Sequence, residues 1–243
     1  MLPTAARSQA AALTGSAKWA DSAAHQIDRA YIAGDLGGLQ AARTVLDRAL
    51  IAFPNDPLLL HYQGYELYRE ANLLEGLSRP AEAGPLLEKA RGIFEKSISL
   101  KPMPETHALL ASVLGQMIGA DQSLGMTLGP LSGQEMQAAL AAGAENPRVW
   151  LLRGISSIFT PAEYGGGISI AETQLNKAIE LFATDHPVSP APSWGRAEAS
   201  AWLGQVLQKE NKPADAVAAY NKALALEPNF MWVKMDLLPS VKK

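Results

Sequence analysis

The chain has 243 residues, 48% hydrophobic and 19% charged, with a formal net charge of −3 and no cysteine. That composition supports a packed core rather than disorder. It also excludes thiol catalysis, disulfides and cysteine-based zinc or iron–sulfur sites, and the lack of a basic tract argues against nucleic acid or an anionic membrane surface as partner.

Taken from the start, the chain has no apolar run long enough to span a membrane. The run from Ala10 to Leu13 is too short for the hydrophobic part of a signal peptide. Two readings follow: a cytoplasmic protein, or an exported one whose signal was removed and replaced by Met1. Residues 1–22 read as an N-terminal extension or an extra helix, and 23–243 as one domain. Alanine is abundant, β-branched residues are sparse and strict alternation is missing, so the elements are helices packed closely together.

Helices that close on a proline recur. Ala49-Leu50-Ile51-Ala52-Phe53-Pro54, Ser97-Ile98-Ser99-Leu100-Lys101-Pro102 and Ala223-Leu224-Ala225-Leu226-Glu227-Pro228 each end a helix where the backbone ladder cannot continue. The spacing predicts helical hairpins over about 23–56, 57–102, 104–146, 147–183 and 197–228, then a cap over 229–243. The second unit is about a dozen residues longer than the usual ~34, with the excess around 73–85. The third is also overlong, with a glycine-rich stretch over 119–133. Residues 183–193, carrying Pro187, Pro190 and Pro192, form a long connection before the last hairpin.

The last unit carries the clearest pattern. From Ala197, Leu203 and Gly204 fall at its seventh and eighth positions, and Ala216, Tyr220, Ala223 and Pro228 follow at the spacing of a tetratricopeptide repeat, which it resembles. The resemblance implies an all-α, right-handed α-solenoid of about five hairpins. Asn146-Pro147-Arg148-Val149-Trp150-Leu151-Leu152-Arg153-Gly154, Pro161-Ala162-Glu163-Tyr164-Gly165-Gly166-Gly167 and Pro192-Ser193-Trp194-Gly195 resemble an uncharacterised group of bacterial, often exported repeat proteins. That likeness implies a periplasmic or exported location. The Pro-x-x-Tyr-Gly-Gly turn is also similar to the helical-repeat component of tripartite periplasmic (TRAP) transporters, which implies a carrier or docking role around a small hydrophobic ligand.

Chemical motifs are few. His25, His61, His107 and His186 are never three or four apart, so no helical metal site is expected. Gly-x-Ser-x-Gly is missing, and Ser-x-x-Lys occurs only at Ser240 and Lys243. Glu66 and Glu70 sit four apart and read as a solvated pair. Gly165, Gly166 and Gly167 read as a turn between helices, or else as a nest of amides for an anion. Trp194 reads as an anchor pinning the long connection to the fourth hairpin, or as a pocket wall alongside Tyr164.

In this type of array the first helix of each hairpin lines the concave face. The lining positions hold Tyr31 in the first hairpin, His61, Tyr65 and Tyr68 in the second, Leu151, Ile155 and Ile158 in the fourth, and Gln205 and Gln208 in the fifth. An apolar groove with polar edges suits a peptide or partner protein, so a non-catalytic interaction module is expected, without a cofactor. The alternative is a closed cavity over the same residues holding a small hydrophobic molecule. If the overlong hairpins fold inward, the same residues become ordinary core.

Overall fold

The computed structural model describes residues 15–241, which hold helices and no strand. Ten helices pair in chain order: α1 (Ser16–Ala33) with α2 (Leu36–Ala52), α3 (Pro57–Gly76) with α4 (Pro80–Leu100), and α5 (Pro104–Ala120) with α6 (Gly125–Ala142). Then come α7 (Pro147–Phe159) with α8 (Ile168–Phe182) and α9 (Arg196–Lys209) with α10 (Pro213–Leu226). A short irregular helical cap follows, with a π-helical stretch Val233–Leu237 running into Leu238–Val241. The array is an α-solenoid of five hairpins with a C-terminal cap.

Local chemistry sets the ends. Proline opens α3, α4, α5, α7 and α10, where its missing N–H costs nothing. The Asp56 carboxylate accepts from the Leu58 and Leu59 amides, and the Asn146 side chain from the Arg148 amide. Three of the five hairpins close on glycine. A Cβ at Gly64 would strike the Phe94 ring, one at Gly154 the Leu175 side chain, and one at Gly204 the Tyr220 ring. Each glycine is the eighth residue of its helix or one place from it, so the same device brings α3 onto α4, α7 onto α8 and α9 onto α10.

Three expectations change in detail. Helix α1 starts at Ser16, so 16–22 belong to the first hairpin, while residues 1–14 lie outside the described ones. The excess over 73–85 lengthens α3 and α4 and forms no inward flap. The glycine-rich stretch 119–133 becomes a 3-10 turn, Gln122–Leu124, and the first half of α6.

The solenoid winds tightly enough for its two ends to meet. Arg69 of α3 pairs with Glu198 of α9, and the Ser189 hydroxyl donates to the Asp21 carboxylate of α1. Ile32 of α1 packs on the C-terminal core of Ala201, Leu207, Ala216, Tyr220, Phe230 and Val233. The inner side of the first two hairpins therefore faces the fifth.

Candidate binding surface

The inner face divides into a covered part and an uncovered part. The covered part centres on α3. His61, Tyr65 and Tyr68 are buried, as is Leu151 of α7, and Tyr31 is half-buried. These residues line no open groove. The connection 183–195 covers Tyr65 and Leu151, and Arg69, paired with Glu198 of α9, lies against Tyr31 and Tyr68, so this filling comes from an element other than a flap of the overlong hairpins. Trp194 is buried and stacks on Tyr65, ring centroids 5.2 Å apart. It thus pins the connection across the solenoid to the second hairpin, not the fourth as expected. Gly195 beside it does touch the fourth, against Leu151 and Phe182.

Within this covered part lies Arg69. Its guanidinium makes two hydrogen bonds to Glu198, at 2.7 and 2.5 Å, and is 4.0 Å from the centre of the Tyr31 ring, with Tyr65, Tyr68 and Trp194 close by. Planar guanidinium between aromatic faces is favourable where water is excluded. The Tyr65 hydroxyl donates to the Asp28 carboxylate at 3.0 Å. Burial raises the Asp28 carboxyl to about 6, although Arg69 pulls the other way. His61 shares a 2.8 Å hydrogen bond between Nδ1 and the Thr106 hydroxyl, and burial lowers its pKa to about 3, so the ring is neutral. Its Nε2 has no partner, and neither do Trp194 Nε1 and Ser200 Oγ.

The uncovered part lies on α7, α9 and the cap. Ser157 bonds Gln174 of α8, and Gly204 meets Tyr220 of α10. Phe159 and Trp202 each sit two residues away on the helix, so they point away from the outer helices and inward. Phe159 is 69% exposed and meets Trp202 edge to face at 6.2 Å, and Trp202 meets Trp232 of the cap at 5.0 Å. Ile155, Ile158 and Gln205 are half-buried on the same helices, and Met235 is exposed on the cap. Sequence reading included Ile155, Ile158 and Gln205 and missed the three aromatics, because it sampled fixed repeat positions and these fall between them. A usable signal was present: an aromatic two residues from the small or polar residue at the hairpin contact. Gln208 turns the other way, accepting from the Tyr220 hydroxyl at 3.1 Å and donating to the Ser240 hydroxyl at 3.2 Å.

The glycine turn cannot act as an anion nest. The Gly165, Gly166 and Gly167 amides donate to Ala162, Pro161 and Ser157 carbonyls at 3.0, 3.1 and 2.8 Å. Gly165 and Gly167 have φ of 83° and 112°, and Gly166 is packed against Thr160, so glycine is needed there for backbone shape. Tyr164 is 79% exposed, whereas Trp194 is buried. Glu66 and Glu70 are buried rather than solvated, and Arg43 of α2 pairs with both. Among the described residues no histidine or carboxylate cluster could hold a metal ion, and no helix is long and apolar enough to cross a membrane.

Residues 197–230 match the tetratricopeptide repeat family. The chain is similar in structure to the HusA haemophore from Porphyromonas gingivalis, at 24% identity and a TM-score of 0.66, covering 81% of this chain and 94% of that one. It is also similar to a thermophilic TPR protein of Thermus thermophilus, TTC0263, at 19% identity and a TM-score of 0.62, covering 92% and 98%. No curated protein matches the sequence at a significant level.

Proposed function

Starting from an α-solenoid whose residues 197–230 match the tetratricopeptide repeat family, we propose that the chain works as a non-catalytic binding module whose partner protein or peptide docks on the uncovered inner face. The observation that supports this is the row Phe159, Trp202 and Trp232, continued by Ile155, Ile158 and Met235. An exposed Phe159 touching half-buried Trp202, which in turn touches half-buried Trp232, brings apolar area to a partner at low cost in side-chain entropy. Gln205 supplies a hydrogen-bonding group beside them. The test is affinity capture from an envelope fraction with the wild type and with Phe159→Ser and Trp202→Ala. A specific partner should be retained by the wild type and lost by both variants, with melting temperatures within a few degrees. Equal capture by all three would sink the reading.

The aromatic character of the same row favours one second reading, a flat apolar small molecule stacked on Trp202, held by an exported carrier. One protein of similar fold is named a haemophore. Haem titration followed by its absorbance band and by tryptophan quenching separates the readings. Saturable binding lost in Trp202→Ala supports the carrier, and native mass spectra without retained mass, together with a flat titration, remove it.

A further inference from the structure

The connection between α8 and α9 has the form of a peptide seated in a groove. Its residues 186–193 run between two firm pins. At one end Asp185 is held by buried Arg148, Nη2 to carboxylate 2.7 Å. At the other, Trp194 lies on Tyr65. Between the pins two side-chain hydrogen bonds reach it: the Tyr62 hydroxyl donates to the Pro190 carbonyl at 2.7 Å, and Ser189 bonds Asp21, while Pro192 is buried and Pro187 and Pro190 are half-buried. Pro187, Pro190 and Pro192 have no N–H to give, and the Ala191 amide turns back to the Val188 carbonyl. Val188 is 82% exposed.

Open space flanks the segment on both sides. A cleft of about 360 Å³ runs along one side, lined by Leu58, Met103, Glu105, Val188 and Pro192. A smaller one, about 160 Å³, lies on the other side between Asp21, His25 and Pro187. Beneath the segment Tyr62 is buried, and its ring is 5.1 Å from His61, whose Nε2 is buried without a partner. The segment lies over a donor already used by a peptide carbonyl, beside a buried ring whose Nε2 has nothing to bond.

We propose that residues 186–193 are a removable strap, an internal stand-in for a partner's proline-containing turn, which displaces it over Tyr62. The occupant's chemistry is read from what sits there now: a proline-containing turn, closed by the Ala191 amide on the Val188 carbonyl, that offers the Pro190 carbonyl to Tyr62 and small apolar residues to the clefts. The partner's segment meets Tyr62 through its own carbonyl, in place of that of Pro190. The proposal rests on the binding-module reading and extends it to the covered part of the inner face. A tethered strap competes at an effective concentration of ~1 mM, so binding in trans is weakened until the strap leaves.

The test uses a fluorescent synthetic peptide with the sequence of residues 184–195, read by polarisation. Because the chain has no cysteine, the pair Asp21→Cys and Ser189→Cys allows the strap to be bridged by oxidation or a short bis-thiol linker. The unbridged protein should bind the peptide at least ~10-fold more tightly than the bridged one. A variant with 186–193 replaced by glycine and serine should bind more tightly again. Equal affinity of bridged and unbridged protein, or no binding by any form, overturns the strap. If the replaced variant does not fold, the bridged and unbridged pair decides alone. Capture that still depends on Phe159 and Trp202 when the strap test fails leaves the binding module standing and removes only the strap.

Discussion

Arg69 is a charged side chain at 3% exposure, and its neighbours explain how it stays there. Glu198 neutralises it, and Tyr31, Tyr65 and Trp194 supply the faces around it. Removing one partner strands a buried charge, which costs about 3–5 kcal/mol, whereas removing both can be nearly neutral. Glu198→Gln or Arg69→Met should therefore lower urea stability by roughly that amount. The double variant Arg69→Met with Glu198→Leu should lose clearly less than the sum of the two, and strict additivity would show that the pair is not coupled.

Three other buried groups give stability a pH dependence. Burial raises Glu66 from 4.5 to about 7 against the pull of Arg43, and Asp28 from 3.8 to about 6. The folded protein thus holds these protons where the unfolded chain has lost them, so their contribution falls as pH rises from about 4 to about 7. His61 works in the opposite sense. Lowered from 6.5 to about 3, it favours folding above 6.5 and loses that contribution as pH falls toward 3. Relative to wild type, Glu66→Gln should gain stability between pH 4.5 and 7, and His61→Gln should lose less on acidification from 6.5. Denaturant midpoints measured across pH 4 to 8 check both, and parallel curves for all three proteins would refute the assignment.

At the scale of the helix, glycine has two opposite roles. Gly204 and Gly64 lie under the rings of Tyr220 and Phe94, and the second helix of each hairpin cannot sit down on a larger residue. Gly204→Ala should cost about 1–3 kcal/mol by overpacking. Gly92, inside α4 and exposed, has nothing within 4 Å of the place its Cβ would take, so Gly92→Ala should add up to ~1 kcal/mol of helix propensity. Opposite shifts in thermal midpoint are the expected outcome, and shifts of the same sign would contradict the packing argument. These helices were legible in the sequence because their signals are local: a capping Asp56 or Asn146, a first-turn proline, a small residue at the crossing. Which side of α3 faces inward was legible too. Whether that side is open was not, because its cover arrives from residues 128 and 129 positions away, in the Tyr62 contact with Pro190 and the Arg69 pair with Glu198. Sequence spacing carries no record of such a meeting. The same limit hid the aromatic row, whose members Phe159, Trp202 and Trp232 come from two hairpins and the cap.

At the scale of the whole molecule, those distant contacts change how the array should unfold. A solenoid held only by neighbour-to-neighbour packing opens from its ends, each repeat with its own free energy. Here the fifth hairpin is tied to the second by Arg69 with Glu198, the connection leading into it by Trp194 on Tyr65, and the first hairpin meets the C-terminal core through Ile32. Opening α9 alone would leave Arg69 as an unpaired charge and uncover Tyr65, which links the free energy of the last hairpin to that of α3. Native-state hydrogen exchange should therefore find α3 and α9 opening together, with the same free energy and the same denaturant slope. Glu198→Gln should lower the protection of both helices, although α4 to α8 separate them in the chain and the substitution touches only the arginine of α3. An α9–α10 unit that exchanges at a lower free energy while α3 is unaffected would mean that the two ends touch without supporting each other, and that the ordinary one-dimensional description is sufficient.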